Sequence, residues 1–150
     1  MKTKLKIYVL LAGLFFASCA SYYDHYTFTQ TLETKAMVQN LFQRSVTEKY
    51  ADNKSSVDEL KKQLQTMFLY EQTKKDNLIT QKMWEVHTAE NSTLNDFFKL
   101  WKEQGTMSEA FIKDFTKEVS KSFDLMVDYE ANKSKQTETL LSQVLTTLTQ

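Results

Sequence analysis

The sequence predicts an all-α protein, an up-down bundle of about four helices joined by short breaks. The chain of 150 residues has no proline and two glycines, where average composition would give about seven and about ten. Residues that sandwiches and barrels need for tight turns are therefore scarce. Large apolar residues recur at steps of three and four, the period of a helix face. Short polar breaks between these stripes favour antiparallel neighbouring helices.

The first residues have the layout of a secretory signal peptide. Three lysines among residues 2–6 precede an apolar run over residues 7–17, and Ser18 and Cys19 follow. As a helix, the run would span about 16 Å, roughly half of the hydrocarbon core, which is too short for a stable transmembrane helix. The alternative, a buried N-terminal helix, is disfavoured because the run has no polar face. We expect residues 1–18 to be a signal peptide.

The end of the run resembles the lipobox of bacterial lipoproteins, in which small residues precede a lipidated cysteine. Ala17 and Ser18 fit that pattern, and Phe16 stands where leucine is commoner. The resemblance implies that the thiol of Cys19 receives a diacylglyceryl group and that its freed amine is acylated. Two or three such chains anchor a protein stably, at about 0.8 kcal/mol per buried CH₂. The alternative is an incidental free thiol. Cys19 is the predicted lipidation site, and the membrane its partner.

Loss of the signal peptide changes the charge balance. The chain has 19 basic and 19 acidic residues, and residues 1–18 hold three of the lysines and no acid. The remaining chain therefore carries a net charge of about −3 and, in Arg44, a single arginine. Nucleic-acid binding usually requires a clustered basic surface, so we expect no nucleic-acid partner.

Residues 19–26 form the predicted lipidated tether. They include Tyr23 and Tyr26, whose rings suit either a membrane interface or a tether that folds back on the helical body. The first helix of the bundle is expected from Thr27 to about Tyr50 and the second from about Val57 to Thr73. Each has one apolar face.

The rest of the predicted bundle extends to residue 135. A third helical segment, from Ile79 to about Gln104, is expected to break near Asn91 and to end before Gly105, the expected C′ residue in left-handed conformation. Ser108 is the predicted N-cap of the next helix. That helix has the clearest apolar stripe in the chain: Phe111, Phe115, Val119, Phe123 and Met126.

The C-terminal segment, residues 136–150, reads as an amphipathic helix or as an extension of the preceding one. Its apolar face is a candidate docking face for an envelope protein, and the alternative is that it completes the bundle. The residues of this candidate docking face are Leu141, Val144, Leu145 and Leu148.

Motifs that carry chemistry are scarce. One cysteine and two histidines leave no haem-attachment or Cys/His zinc motif, and the pairs of Glu-x-x-His that di-iron bundles use are missing. Two glycines exclude glycine-rich phosphate loops. We therefore expect no catalytic residue, no metal and no cofactor. Trp84, His87 and Trp101 are either core residues or the lining of a ligand pocket, since Trp84 and His87 lie on one helix surface.

Taken together, several features resemble a group of small bacterial lipoproteins with no assigned biochemical activity. They are the lipobox cysteine, Tyr23-Asp24-x-Tyr26, Trp84, and Phe98-x-x-Trp101-Lys102-x-x-Gly105 before Ser108. The resemblance implies a helical fold and a location in the cell envelope. Ala20 after the cysteine is not a retention signal of the enteric type, so the periplasmic face of the outer membrane is the expected site.

Two functions follow from these observations. The first is a non-enzymatic interaction or scaffold module that presents a helix face to another envelope protein. The second is a small-ligand binder or sensor with a pocket near Trp84, His87 and Trp101. A hydrolase with a pair of carboxylates is a third, less favoured possibility. Among 19 acidic residues some pairs always lie at suitable distances, so such pairs are weak evidence for catalysis.

Overall fold

The computed structural model describes residues 23–75 and 77–148, and these residues confirm the all-α class. No strand occurs in these two ranges. The signal peptide and residues 19–22 of the tether, with Cys19, lie outside the described residues. The elements are α1 (His25–Ser45), a 3-10 turn (Tyr50–Asn53), α2 (Lys54–Gln72), α3 (Leu78–Thr88), α4 (Thr93–Gln104), α5 (Glu109–Asn132) and α6 (Lys135–Leu148).

Side-chain contacts show that neighbouring helices run antiparallel. Between α1 and α2, Thr27 donates a hydrogen bond to Glu71, and Gln63 donates to Gln30. Between α1 and α5, Gln39 Nε2 donates to Ser120 Oγ at 2.9 Å. Helix α6 packs on α3 and α5, and α4 lies against the 3-10 turn. The predicted up-down arrangement of neighbouring helices is therefore present.

One hydrophobic core is built from every helix. The stripes at helical spacing supply it, with α1, α2 and α5 contributing their inner faces over most of their length. Its largest fully buried apolar side chains are Trp84, Trp101, Phe42, Phe123, Leu60, Met67, Met83, Leu94, Met126 and Leu141.

The described residues contain six α-helices, where a bundle of about four with a C-terminal amphipathic helix or extension was predicted, because the third segment is divided and the C-terminal helix is separate. The third segment breaks at residues 89–92, where Ser92 becomes the N-cap of α4 and accepts a hydrogen bond from the Asn95 amide. The break near Asn91 was predicted. The last segment is divided at Lys133, which has a left-handed φ of 43°, so α5 does not continue into α6 as one projecting helix.

The first helix ends at Ser45, five residues before the predicted end at Tyr50. The Ser45 carbonyl accepts a hydrogen bond from the Met107 amide at 2.8 Å, and the Thr47 and Glu48 amides both turn back to the Arg44 carbonyl. The chain before α5 therefore closes this helix end. Sequence periodicity alone cannot report such a long-range contact.

The predicted end of α4 at Gly105 and the predicted N-cap of α5 are confirmed. Gly105 has a positive φ of 84°, but its ψ of −54° lies outside the left-handed helical region that was expected; its amide donates to the Trp101 carbonyl at 3.0 Å. Ser108 caps α5, accepting a hydrogen bond from the Phe111 amide at 3.3 Å. Within the described residues, every helix is too short or too polar to cross a lipid bilayer.

Candidate functional site

His87 and Ser122 form a buried polar pair between α3 and α5. His87 lies in the last turn of α3 and is 6% exposed, and Ser122, near the middle of α5, is 4% exposed. His87 Nε2 is 3.2 Å from Ser122 Oγ. The imidazole stacks on the Phe123 ring, with centroids 4.5 Å apart and planes 7° apart. The fold thus brings together two polar residues that are 35 positions apart in sequence.

The hydrogen bonds of this pair define which atom holds each proton. Ser122 Oγ lies 2.8 Å from the Val119 carbonyl, to which its hydroxyl donates. A hydroxyl has one proton, so Ser122 Oγ accepts the hydrogen bond from His87 Nε2–H. Burial lowers the pKa of His87 to about 4, and the ring is neutral at neutral pH.

This arrangement differs from a catalytic serine–histidine pair. Catalysis requires the serine to donate its proton to an unprotonated ring nitrogen that a carboxylate orients from the other side. Here Ser122 donates to a backbone carbonyl instead. Among residues 23–75 and 77–148, no carboxylate is hydrogen-bonded to the His87 ring. The pair therefore lacks the hydrogen-bond geometry of a serine nucleophile activated by a histidine.

A cavity of about 410 Å³ opens beside the pair. His87 and Ser122 line it, as do the exposed side chains of Glu118 and Lys121. Its other polar lining residues are Thr93, Gln143 and Thr147. Its apolar lining residues are Val86, Leu94, Val119, Leu125, Leu140 and Val144. A volume of this size with mostly apolar walls and a few placed polar groups is typical of small-molecule sites.

The predicted grouping of Trp84, His87 and Trp101 needs correction, because only His87 lines this cavity. Trp84 is fully buried with its ring 6.4 Å from that of Phe123, and its Nε1 has no hydrogen-bond partner. Trp101 is fully buried on α4, where its Nε1 donates to the Glu48 carbonyl at 2.9 Å. Both indoles belong to the core.

The candidate docking face of the C-terminal helix is turned largely into the bundle. Leu141 is fully buried and Leu145 is 9% exposed, and both belong to the core cluster. Val144 is half-buried and lines the cavity. The side chain of Leu148 lies outside the described residues. Helix α6 therefore uses this face to pack on α3 and α5, because its stripe completes the core.

A second buried polar cluster, which was not predicted from the sequence, joins four helix ends. Glu71, at the end of α2, is fully buried. Its Oε1 accepts hydrogen bonds from Thr27 of α1 and from Lys74 Nζ, the latter at 2.6 Å. Its Oε2 accepts from Asn77 Nδ2 at 2.7 Å. This carboxylate is thus paired with a cation and hydrogen-bonded through both oxygens, as a buried charge requires.

The cluster continues through Asn77 to the end of α5. Asn77 Oδ1 accepts from Lys133 Nζ at 3.1 Å, and Lys133 also pairs at 2.6 Å with Glu130, which is fully buried. Thr80 donates to Glu130 Oε1 at 2.6 Å. The second oxygen, Glu130 Oε2, has no hydrogen-bond partner in the structure. We call the set Asp24, Thr27, Tyr70, Glu71, Lys74, Asn77, Thr80, Glu130 and Lys133 the polar cluster.

Asp24 is the link between the polar cluster and the tether. It caps α1 by accepting from the Thr27 amide at 3.1 Å, and it forms an ion pair with Lys74. Partial burial alone would raise the pKa of this carboxyl, but the hydrogen bonds from Lys74 and Thr27 lower it to about 2. The first turn of α1 is therefore fastened to the end of α2.

The sequence does contain a signal for these two buried acids. The buried stripe Leu60, Leu64 and Met67 reaches Glu71 at the next helical step, and Val119, Phe123 and Met126 reach Glu130 in the same way. Each glutamate is followed three residues later by a lysine. In both helices an apolar stripe thus ends on Glu-x-x-Lys, and the lysine supplies the cation that the buried carboxylate requires.

Comparisons give this chain no relative: no family model, no curated protein and no solved structure matches it significantly. In the described part of the chain, no group of three or more His, Cys, Asp or Glu side chains is placed to hold a metal ion.

Proposed function

We propose that this protein is a lipid-anchored, non-enzymatic binding domain of the cell envelope that takes a small apolar ligand in the cavity beside His87. The resemblance to small bacterial lipoproteins supports the anchor at Cys19 and the location at the periplasmic face of the outer membrane. The cavity of about 410 Å³ supports the ligand. This second observation carries the proposal, because it selects the ligand-binding hypothesis over a docking face that is largely buried.

The lining indicates the class of ligand. Most of the wall is aliphatic, and the buried part holds no charge because the low pKa of His87 keeps its ring neutral. A charged ligand group placed there would lose its hydration without gaining a counter-ion. The fitting ligand has an extended apolar body and an uncharged hydrogen-bonding group, and any charged group would lie at the rim near Lys121 or Glu118.

Binding of N-phenyl-1-naphthylamine, an uncharged probe that fluoresces in apolar surroundings, tests the ligand proposal. The wild-type protein should give a saturable rise in fluorescence. Val144→Trp fills the cavity and should abolish that rise, because Val144 lines it. Val46→Trp is the matched control, since Val46 is half-buried beside the core but does not line the cavity. Circular dichroism checks that both variants fold. Equal binding by both variants would refute the proposed site.

Substitution of the lipobox cysteine tests the anchor separately. Cys19→Ala should leave the precursor uncleaved or remove the protein from the outer-membrane fraction, since no other cysteine is present. Unchanged fractionation would show that the anchor does not depend on this residue. Because the cavity lies in the folded domain, probe binding should be the same in this variant.

A protein partner remains the second candidate function, and one observation favours it. A groove of about 780 Å³ runs between α3 and α6, with Ile79, Lys82 and Val86 among its lining residues. A photo-crosslinking amino acid at Lys82 should capture an envelope protein in cells, and the same group at Lys113, on α5 and outside the groove, should not. Equal capture from both positions would count against a partner in the groove.

A further inference from the structure

We infer that the end of the bundle where α1 begins rests on the lipid surface, with Tyr23, Tyr26 and Leu78 at the headgroup level. This inference rests on the proposed lipidation of Cys19 and adds to it an orientation of the domain. We call this end, formed by the start of α1, the end of α2 and the start of α3, the tether end.

Chain length restricts how far the tether end can stand from the membrane. Tyr23 follows Cys19 by four residues. A fully extended chain spans at most about 3.6 Å per residue, so the two Cα atoms are separated by no more than about 14 Å. The headgroup region itself occupies about 5–8 Å on each side of the hydrocarbon core. A lipid on Cys19 therefore places the first turn of α1 within or just above the headgroups.

The side chains at this end have the chemistry of a membrane interface. Tyr23 is 52% exposed, Tyr26 is 45% exposed and Leu78 is 65% exposed. Tyrosine is enriched at bilayer interfaces, where its ring is apolar and its hydroxyl remains hydrated. Lys75, between α2 and α3, is also exposed and suits anionic headgroups. Exposure of the Leu78 side chain and the two tyrosine rings to water is unfavourable in free energy, and insertion between the headgroups would remove that penalty.

Hydrogen bonds and ring contacts show that these residues lie at the same end. Tyr26 packs edge-on against Tyr70, with ring centroids 4.7 Å apart, and the Tyr70 hydroxyl donates to Asp24 at 3.2 Å. Leu78 follows Asn77, which donates to Glu71, and Glu71 in turn accepts from Thr27 in the first turn of α1. The polar cluster therefore holds the start of α1 and the start of α3 side by side.

The distribution of exposed apolar residues favours this end over the opposite one. Seven large apolar side chains are exposed in the described part of the chain. Tyr23, Tyr26 and Leu78 are at the tether end, and Leu69 is one residue before Tyr70 near the end of α2. At the opposite end, Phe111 is 36% exposed, and the remaining two, Leu32 on α1 and Leu140 on α6, lie away from the first turns of their helices. The 21 residues of α1 separate the two ends by about 31 Å.

Site-directed spin labelling of the lipidated full-length protein tests this orientation. Because Cys19 is the only cysteine and its sulfur would be alkylated, a cysteine introduced elsewhere is the only free thiol. Leu78→Cys places the label at the tether end, and Phe111→Cys is the matched control at the opposite end. Both variants are reconstituted in vesicles of phosphatidylethanolamine and phosphatidylglycerol. Collision rates are measured with oxygen, which concentrates in lipid, and with a water-soluble nickel complex.

The label at position 78 should collide more with oxygen and less with nickel than the label at position 111, which should behave as in water. Water-like values at both positions, with mass spectrometry showing the diacylglyceryl group on Cys19, would overturn the orientation and leave the anchor intact. A lipid contact at position 111 instead of 78 would overturn it as well. An unmodified Cys19 would refute the anchor, and with it the premise of the orientation.

Discussion

Lowering the pH from about 7.5 to about 5 should cost this protein about 2 kcal/mol of its unfolding free energy through His87 alone. Burial lowers the pKa of His87 from 6.5 to about 4. The unfolded chain therefore takes up a proton on this residue near pH 6.5, whereas the folded chain does so only near pH 4. The contribution of the neutral ring is complete above pH 6.5 and is lost as the pH falls toward 4.

The magnitude follows from the separation of the two pKa values. One unit corresponds to about 1.36 kcal/mol, so the full effect approaches about 3 kcal/mol below pH 4. At pH 5 the unfolded state is largely protonated at this position and the folded state is not, which gives about 2 kcal/mol. Asp24, whose pKa is about 2, stays ionised in the folded protein over this range.

Urea denaturation at several pH values, followed by far-ultraviolet circular dichroism, measures the effect. The matched variant is His87→Gln, whose side-chain amide keeps a donor for Ser122 but does not titrate. Between about pH 7.5 and pH 5, the wild-type protein should lose about 2 kcal/mol more than the variant. All other titrating groups are common to the two proteins. Parallel curves of stability against pH would refute the assignment of a buried, neutral His87.

Three further predictions concern stability and are measured by urea denaturation at neutral pH. Glu71→Ala should lower the free energy of unfolding by about 3–5 kcal/mol, because it leaves the buried partners of this carboxylate unpaired. The control Glu59→Ala, at an exposed position, should change it by no more than about 0.5 kcal/mol. Equal effects would contradict the role of the polar cluster. Trp101→Phe should cost about 1 kcal/mol more than Trp84→Phe, since only Trp101 Nε1 has a hydrogen-bond partner; the reverse order would show that the indole contacts are misassigned. Gly105→Ala should lower the free energy of unfolding by about 1 kcal/mol. The loss comes from the φ of 84° alone, because no atom lies within 4 Å of the added methyl group; an unchanged midpoint would mean that the turn relaxes.

Local signals in the sequence predicted the fold class and much of the helix punctuation. The φ of Gly105 and the N-cap at Ser108 depend on residues within a few positions, so they could be read directly. The apolar stripe of α5 was located correctly at Val119, Phe123 and Met126, but at its start Ile112 is buried and Phe111 is not. This first turn of α5 follows directly on the contact between Met107 and the end of α1. Packing against neighbouring helices, rather than the spacing of apolar residues, determines which of its faces is buried.

The candidate site was less accessible to sequence reasoning. His87 was selected, but Ser122 was not, because the two meet only when α3 and α5 pack side by side. The polar cluster was missed because the helix faces were defined by their apolar residues alone, although Glu71 continues the buried stripe of α2. Lipidation of Cys19 remains a prediction from the sequence.

The position of Asp24 has a mechanical consequence for a domain held at Cys19. If Cys19 is lipidated as proposed, a pull from the membrane would arrive at the first turn of α1, where Asp24 is paired with Lys74 and hydrogen-bonded to Tyr70. A tensile load therefore passes across to α2 and, through Glu71 and Asn77, toward α3 and α5. The first turn of α1 could then not detach without separating the half-buried Asp24–Lys74 ion pair and the hydrogen bond from Thr27 to the buried Glu71, so the load would be shared by the helices that this end joins.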